Sequence, residues 1–144
     1  MKSIRARAPA ASSPLIRRVM QANRSSNTRP ELLLGGSLRQ AGLRFRKNIR
    51  PEPGFKCKGD LVFPAQKLCI FVDGCYWHGC PKHFKTPRTN ADWWNEKIDD
   101  TRRRDRAKRK HLRERGWTVL RIWEHEITPK MVPRLVKMVS KFAK

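Results

Sequence analysis

The chain has 144 residues and a formal net charge of +22, because 34 Lys and Arg stand against 12 Asp and Glu. This length suits one domain, and an apolar share of 38% supports a single modest hydrophobic core. A membrane span is excluded because no run of about 18 apolar residues exists, and a secretory signal is not expected because no apolar stretch opens the chain. The basic excess predicts a polyanionic partner, which an enzyme or a purely binding protein would equally require.

Residues 1–27 show little hydrophobic periodicity and are rich in Arg, Ala and Ser. We predict a mobile basic arm that lies along phosphates, although an organellar transit peptide has a similar composition. The folded domain is expected at residues 28–144. Its first helix begins where Thr28 and Glu31 match a capping box, and it ends at Gly42.

Three strands are predicted after this helix. A short strand lies at residues 44–46, and a second follows a loop rich in Pro and Gly and begins near Asp60. The third, at residues 68–73, is an almost continuous apolar run, which is typical of a strand covered on both faces. A turn at residues 64–67 joins the last two strands as a hairpin.

The second half of the chain predicts a loop, a long helix, a strand and a closing helix. The long helix begins at Thr89 or Asn90 and ends at Gly116. A strand follows at residues 117–123, and an amphipathic helix at residues 133–142. The order αβββαβα predicts an α/β fold with a small mixed central sheet flanked by helices.

The long helix carries nine basic residues between Arg102 and Arg115, opposed only by Asp105 and Glu114. Such a run is either a solvated helix face or a surface that contacts phosphates. We favour phosphate contact because so few acidic residues balance the charge.

Four residues form a candidate zinc site: Cys75, Cys80, His83 and His125. Structural zinc takes four tetrahedral N or S ligands. The loop at residues 74–88 has no periodicity, so a bound metal ion would be needed to fix its conformation. Two buried thiols with two surface histidines are the alternative, and His78 and His111 compete as fourth ligand. Inside a cell, disulfides are disfavoured.

Three residues near strand ends suggest metal-dependent hydrolysis. Asp60 begins one predicted strand, Asp73 ends its neighbour, and His78 lies just beyond. Such chemistry needs a carboxylate at the metal ion and a group that activates water. On spacing alone, a turn role for Asp60 and a surface position for His78 are the better interpretations.

Four blocks, residues 27–31, 59–63, 71–83 and 116–125, carry a resemblance to a known family. They are similar, in this order, to the hallmarks of the very-short-patch repair (Vsr) DNA mismatch endonucleases. The resemblance implies a restriction-endonuclease-like fold with a zinc-stapled loop, and a monomer acting on double-stranded DNA. It implies nicking 5′ to the thymine of a T:G mismatch, which arises from deaminated 5-methylcytosine, with catalytic Mg²⁺ and structural Zn²⁺. Such an enzyme is expected in the bacterial cytoplasm, at the nucleoid, with mismatch-repair proteins as partners.

The resemblance also implies roles for individual residues. Asp60 is implied to bind magnesium together with the backbone carbonyl of Val72, and His78 to activate or position water. Asp73 stands where some members have histidine, so its catalytic role is open. Glu31 matches an acidic residue near the active site, or it serves only the helix cap.

Two further sets of residues follow from the resemblance. The implied zinc ligands are Cys75, Cys80, His83 and His125. The residues implied to insert rings beside the mismatch are Tyr76, Trp77 and Trp94. A position in the core is the alternative for both tryptophans.

Two features depart from the family's pattern. The approach to Asp60 through residues 53–59 is longer and lacks a second proline, which leaves the loop shape and the sequence context open. In other members, the two ligands that correspond to Cys80 and His83 are spaced one residue closer to each other, and zinc tolerates either spacing. A nuclease of the same fold without mismatch preference, and a non-catalytic zinc-stabilised DNA-binding module, remain alternative functions.

Overall fold

The computed structural model describes residues 28–74, 78–82, 84–86 and 88–143, and within them the elements follow the predicted order αβββαβα. The helices are α1 (Arg29–Gln40), α2 (Ala91–Glu114) and α3 (Val132–Ala143). The strands are β1 (Arg46–Ile49), β2 (Gly59–Phe63), β3 (Leu68–Asp73) and β4 (Thr118–Trp123), and a 3₁₀ turn covers Glu124–Glu126. Among the described helices, none has the length and apolar character that a bilayer span requires. The predicted basic arm lies outside the described residues.

The four strands form one mixed sheet in the order β1-β2-β3-β4. The first two pairs are antiparallel, and β3 and β4 are parallel, with α2 as the crossover that a parallel pair requires. The start of β2 and the ends of β3 and β4 therefore meet at one end of the sheet. This topology confirms the predicted small mixed sheet and brings Asp60 and Asp73 to the same end.

The two faces of the sheet belong to two core clusters. Leu61, Ile70 and Ile122 pack in a cluster with α1 and α3. Cys69 and Val119, with Val62, pack in a second cluster with Leu112 of α2. Successive side chains of a strand point to opposite faces, so β3 is covered on both sides as its apolar run predicts.

The same alternation decides which polar side chains face α2. Asp60 lies two residues before Val62, and Asp73 lies four residues after Cys69, so both share the α2 face. Arg121 follows Val119 by two residues and points the same way. The long basic helix therefore lies over the face that carries the candidate catalytic residues.

The first strand and the cap of α2 differ from the sequence predictions. The first strand covers Arg46–Ile49 rather than residues 44–46, because antiparallel pairing with β2 fixes its register, with Arg46 opposite Val62. Phe45 instead packs against Phe63, with ring centroids 5.5 Å apart. Asn90 precedes α2 as predicted, but its φ is 58° and its side chain makes no capping hydrogen bond.

Candidate functional site

Asp60 lies at the start of β2 and bonds to the end of β3. Its Oδ2 accepts a hydrogen bond of 2.7 Å from the backbone N–H of Val72. Burial is the main cause that raises the pKa of Asp60 from 3.8 to about 7; the Val72 hydrogen bond opposes the rise, and the charges of Glu31 and Asp73 add to it. The ionised carboxylate is therefore poorly stabilised by the protein, and a bound cation would stabilise it.

Glu31 belongs to this electrostatic environment. This residue is only 4% exposed although it lies in the first turn of α1. The side chain of Thr28 accepts a 3.5 Å hydrogen bond from the Glu31 N–H, which is one half of the predicted capping box. The charge of Glu31 also acts on Asp60. Glu31 therefore lies both in the cap of α1 and near the candidate active site.

His78 lies between two carboxylates. Its Nδ1 is 2.6 Å from Oδ2 of Asp105, and its Nε2 is 3.8 Å from Oδ1 of Asp73. Burial alone would lower the pKa of His78, but the hydrogen bond to Asp105 and the charges of Asp73 and Asp105 outweigh burial, so the pKa is raised. When the neutral ring donates its Nδ1 proton to Asp105, Nε2 is left as a proton acceptor.

The loop that carries His78 is anchored to α2 through the next residue. The carbonyl of Gly79 accepts hydrogen bonds from Nη2 and Nε of Arg102, at 2.7 and 3.2 Å. Gly79 has a φ of +65°, and an added Cβ would lie 2.6 Å from Cγ2 of Ile98. Only glycine fits this approach readily, so the backbone after His78 is held against the helix.

Asp73 is engaged by an arginine. Nε of Arg121 lies 2.5 Å from Oδ2 of Asp73, whose side chain is 7% exposed. Asp73, His78 and Asp105 form a cluster in which one ligand atom of each lies within 4.8 Å of the others, and such a group could hold a metal ion. Arg121 and the imidazole compete for these carboxylates, whereas Asp60 faces no cationic side chain at hydrogen-bond distance among the described contacts.

A pocket of about 750 Å³ opens beside His78. Its polar lining is dominated by arginine, since five of its ten lining residues are Arg102, Arg103, Arg106, Arg109 and Arg121. A pocket with this lining favours an anion, and the phosphates of a nucleic acid match its chemistry.

Two of the predicted zinc ligands lie together. Nδ1 of His125, in the 3₁₀ turn after β4, is 3.6 Å from Sγ of Cys80. Two ligands of a tetrahedral zinc with bonds of about 2.3 and 2.0 Å are separated by about 3.5 Å, so this pair fits the ion. Cys75 and His83 lie outside the described residues.

The two competing histidines are occupied elsewhere. His78 is bonded to Asp105. His111 stacks on Phe55, with ring centroids 3.9 Å apart and an interplanar angle of 30°. The geometry therefore favours His125 as the partner of Cys80.

Trp94 lies at the start of α2 and is 7% exposed. Its ring meets Trp93 edge to face, with centroids 4.8 Å apart. This burial agrees with the core alternative for Trp94, so a DNA-contacting role would require the ring to leave its packing. Tyr76 and Trp77 lie outside the described residues.

Two residues of the site were given no role by the sequence, Asp105 and Arg121, and Arg102 was predicted only as part of the basic run that contacts phosphates. Asp105 had a visible signal, because it is an acidic residue inside a run of basic ones. Arg121 had none, since an arginine in a strand next to a basic helix is indistinguishable from the rest of the charge excess.

Comparison with known proteins identifies the family. The family model described as DNA mismatch endonuclease Vsr matches residues 14–84. The type II nicking enzyme V.XorIIP of Xanthomonas oryzae pv. oryzae is 40% identical over 118 residues, which cover 81% of this chain and 85% of that enzyme. The chain belongs to the Vsr family. The resemblance of its four sequence blocks is therefore confirmed, and the protein is a Vsr-family endonuclease.

Other relatives agree with this assignment. The type II nicking enzyme V.NaeI of Lentzea aerocolonigenes is 47% identical over 111 residues, covering 76% of this chain and 67% of that enzyme. The DNA mismatch endonuclease Vsr of Escherichia coli K12 is 37% identical over 106 residues, covering 73% of this chain and 66% of that protein.

A solved structure supports the fold alone. The catalytic domain of the homing endonuclease I-Bth0305I superposes with a TM-score of 0.52 at 20% identity, covering 81% of this chain and 94% of that domain. The Vsr-family chain therefore shares the fold of an endonuclease catalytic domain.

Proposed function

We propose that this Vsr-family endonuclease nicks double-stranded DNA 5′ to the thymine of a T:G mismatch, with Mg²⁺ as the catalytic ion. The observation that carries the proposal is the convergence of Asp60 and His78 at one sheet end, beside an arginine-lined pocket. The names of two relatives, a type II nicking enzyme and a DNA mismatch endonuclease, support nicking and mismatch recognition respectively.

Magnesium would be held by the Asp60 carboxylate and the Val72 carbonyl. Both are oxygen donors, which Mg²⁺ prefers, and a bound cation would offset the burial that raises the pKa of Asp60. When bound, the ion would neutralise charge that develops on the phosphate. We prefer this pair over the Asp73, His78 and Asp105 cluster because Arg121 already neutralises Asp73.

His78 would act as the proton acceptor. Water adds to phosphorus, its proton passes to Nε2 of His78, and the bond from phosphorus to one sugar oxygen breaks, with that oxygen taking a proton from solvent. Asp105 would fix the ring orientation through Nδ1 and stabilise the imidazolium that forms. The Arg102 hydrogen bonds to Gly79 would hold the loop in place.

The deciding experiment compares two duplexes that differ only in one base. Magnesium-dependent nicking of a T:G duplex, with much slower nicking of its T:A control, is the expected result. Equal cutting of both duplexes would show a nuclease without mismatch preference, and binding without cutting would show a non-catalytic DNA-binding module.

Substitution of Asp105 tests the orientation of His78. Asp105→Asn removes a charge and weakens a hydrogen bond that raise the pKa of His78, so the acidic limb of the pH–rate profile should move to lower pH. The plateau rate should fall by about 10- to 100-fold, a range typical of partners that orient a functional histidine. Single-turnover nicking across pH measures both effects.

Asp100→Asn is the matched control, because it removes the same charge from the same helix without touching His78. Its pH–rate profile should superpose on that of the wild type. If Asp105→Asn and Asp100→Asn behave alike, Asp105 does not orient the imidazole.

Zinc is proposed as the structural ion of the loop that carries His78. The spacing of Cys80 and His125 supports it, and Cys75 and His83 would complete the site. Cys80→Ala should lower zinc content and melting temperature, because metal binding contributes directly to folding stability. Cys57→Ala also removes a buried thiol, from the core cluster under α2, and should keep its zinc. Elemental analysis that finds no zinc in the wild type would contradict the site.

Salt dependence tests the role of the basic residues on α2. If six to ten phosphates are contacted, DNA affinity should fall roughly 10³- to 10⁵-fold between 50 and 200 mM salt. Arg106→Ala should reduce the slope of log K against log salt by about one. Arg134→Ala, on the exposed side of α3, should leave the slope unchanged. A nearly flat dependence in the wild type would rule out phosphate contact as the reason for the charge.

A further inference from the structure

Arg121 is held in a fixed orientation on β4. Its Nε donates to Oδ2 of Asp73, and its guanidinium lies 4.0 Å from the centroid of the Trp123 ring. One edge of the planar group is thus bonded and one face is stacked. With a side chain that is 23% exposed, Arg121 differs from the arginines on the outer surface of α2, such as Arg103 at 67%.

One donor group of this guanidinium is buried without an acceptor among the described residues. Nη2 of Arg121 is buried and has no hydrogen-bond partner within the part of the chain that the structure describes. A buried N–H group of a charged side chain is unfavourable unless a partner accepts its proton. An anionic ligand would supply that partner.

The surroundings of Arg121 also favour an anion. Arg121 lines the pocket of about 750 Å³ together with four arginines of α2. Burial lowers the pKa of Arg109, and the charge of Arg121 lowers it further, which reflects the crowding of cations. The acidic residue in the lining, Asp99, already bonds to Arg102.

The position of Arg121 relative to His78 identifies which anion fits. Asp73 contacts both residues, through Oδ2 to Nε of Arg121 and through Oδ1, 3.8 Å from Nε2 of His78. A group accepting from Arg121 is therefore next to the imidazole that faces the attacking water in the proposed function. We propose that Arg121 binds the DNA phosphate that is cut, and that Asp73 is the positioning residue that holds Arg121 there.

This assignment rests on the proposed function and adds a specific contact to it. A guanidinium can donate to phosphate oxygens from a fixed planar fork, whereas lysine offers only a point charge. In a pocket that is partly removed from water, such a donor stabilises negative charge that grows on the phosphate during hydrolysis. Asp73 then acts through Arg121 rather than as a metal ligand.

The experiment is a double-mutant cycle between protein and DNA. Binding is measured without added magnesium, and with no chelator so that structural zinc is kept, to a T:G duplex that carries either a native phosphate or a neutral methylphosphonate at the mapped nick position. Arg121→Ala should weaken binding to the native duplex by about 10- to 100-fold, as expected for a charge-assisted hydrogen bond. On the methylphosphonate duplex, Arg121→Ala and wild type should bind within about twofold of each other, because the contact is already lost.

Two controls separate this contact from general charge effects. Arg134→Ala removes an equal charge from α3, away from the pocket, and should leave the affinity difference between the two duplexes unchanged. Melting temperatures of all variants should stay close to that of the wild type, which would exclude unfolding as the cause. The assignment is overturned if Arg121→Ala weakens binding to both duplexes by the same factor. It is also overturned if the effect of Arg121→Ala disappears only on a further duplex, whose methylphosphonate lies half a helical turn from the nick position.

Asp73 is tested by the same cycle. Asp73→Ala should reduce the affinity difference between the native and methylphosphonate duplexes, whereas Asp73→Asn, which keeps an oxygen acceptor for Arg121, should retain most of it. Because magnesium is absent, a role of Asp73 as a magnesium ligand would leave this difference unchanged in Asp73→Ala, and that result would contradict the assignment. Nicking of the unmodified duplex by the wild type is measured first, because its absence would contradict the proposed function. If the wild type nicks this duplex but Arg121→Ala affects binding to both duplexes equally, only the role of Arg121 is contradicted.

Discussion

Asp60→Asn is expected to lose on the order of 10³- to 10⁴-fold in nicking rate while DNA binding survives or tightens. The amide keeps the shape of the side chain but removes the charge that would hold magnesium, and a catalytic ion is worth several kcal/mol at the transition state. Binding survives because the loss of a negative charge reduces repulsion of the phosphate. Single-turnover nicking and equilibrium binding on the same T:G duplex measure the two effects separately.

The same substitution has a second consequence in protein that is free of magnesium. The pKa of Asp60 in the folded state is about 7, above its ordinary value of 3.8, so stability falls as pH rises from about 4 to 7 and the carboxylate ionises. The amide that replaces this carboxyl group does not titrate. The melting temperature of Asp60→Asn relative to wild type should therefore rise across this window and stay constant above it. A constant difference from pH 4 to 8 would show that Asp60 is not destabilised by ionisation.

His78→Ala is expected to cost about 10²- to 10⁴-fold in nicking rate, the range typical of a general base. The acidic limb of the pH–rate profile should flatten, because the group that must lose its proton for activity is gone. In the wild type, the pKa of His78 is raised, so this acidic limb should lie at a higher pH than an unperturbed histidine would give. Dependence on magnesium should persist, because Asp60 and Val72 remain.

His111→Ala provides the matched control for this prediction. His111 lies on α2 and stacks on Phe55, away from the carboxylate cluster, so its loss should leave the acidic limb in place. A flattened limb in His111→Ala, or an unchanged limb in His78→Ala, would show that another group accepts the proton.

The two predictions share one structural cause, which is the packing of α2 over the end of the sheet. This helix supplies Asp105 to the imidazole and Arg102 to the backbone of Gly79, and it lines the pocket with further arginines. Residues proposed to bind DNA therefore lie within one or two turns of residues that orient the catalytic group. Movement of α2 would alter affinity and chemistry together.

Much of the fold follows from local sequence patterns. The apolar run at residues 68–73 predicts a strand covered on both faces, and Gly116 ends α2 with a φ of +86°. The antiparallel hairpin and the crossover helix then leave few topologies, so the sequence alone is enough to expect Asp60 and Asp73 at one sheet end.

The sequence by itself therefore determined the element order, the family and the placement of Asp60 and Asp73 at one sheet end. Tertiary structure decided the partners: Asp105 lies 27 residues from His78, Arg121 lies 48 from Asp73, and His125 lies 45 from Cys80. Hydrophobic periodicity fixes which face a residue occupies, but a side-chain pair forms only where two elements pack at a particular offset. The offset between α2 and the sheet depends on core contacts such as Leu112 with Val119, and no local pattern encodes it.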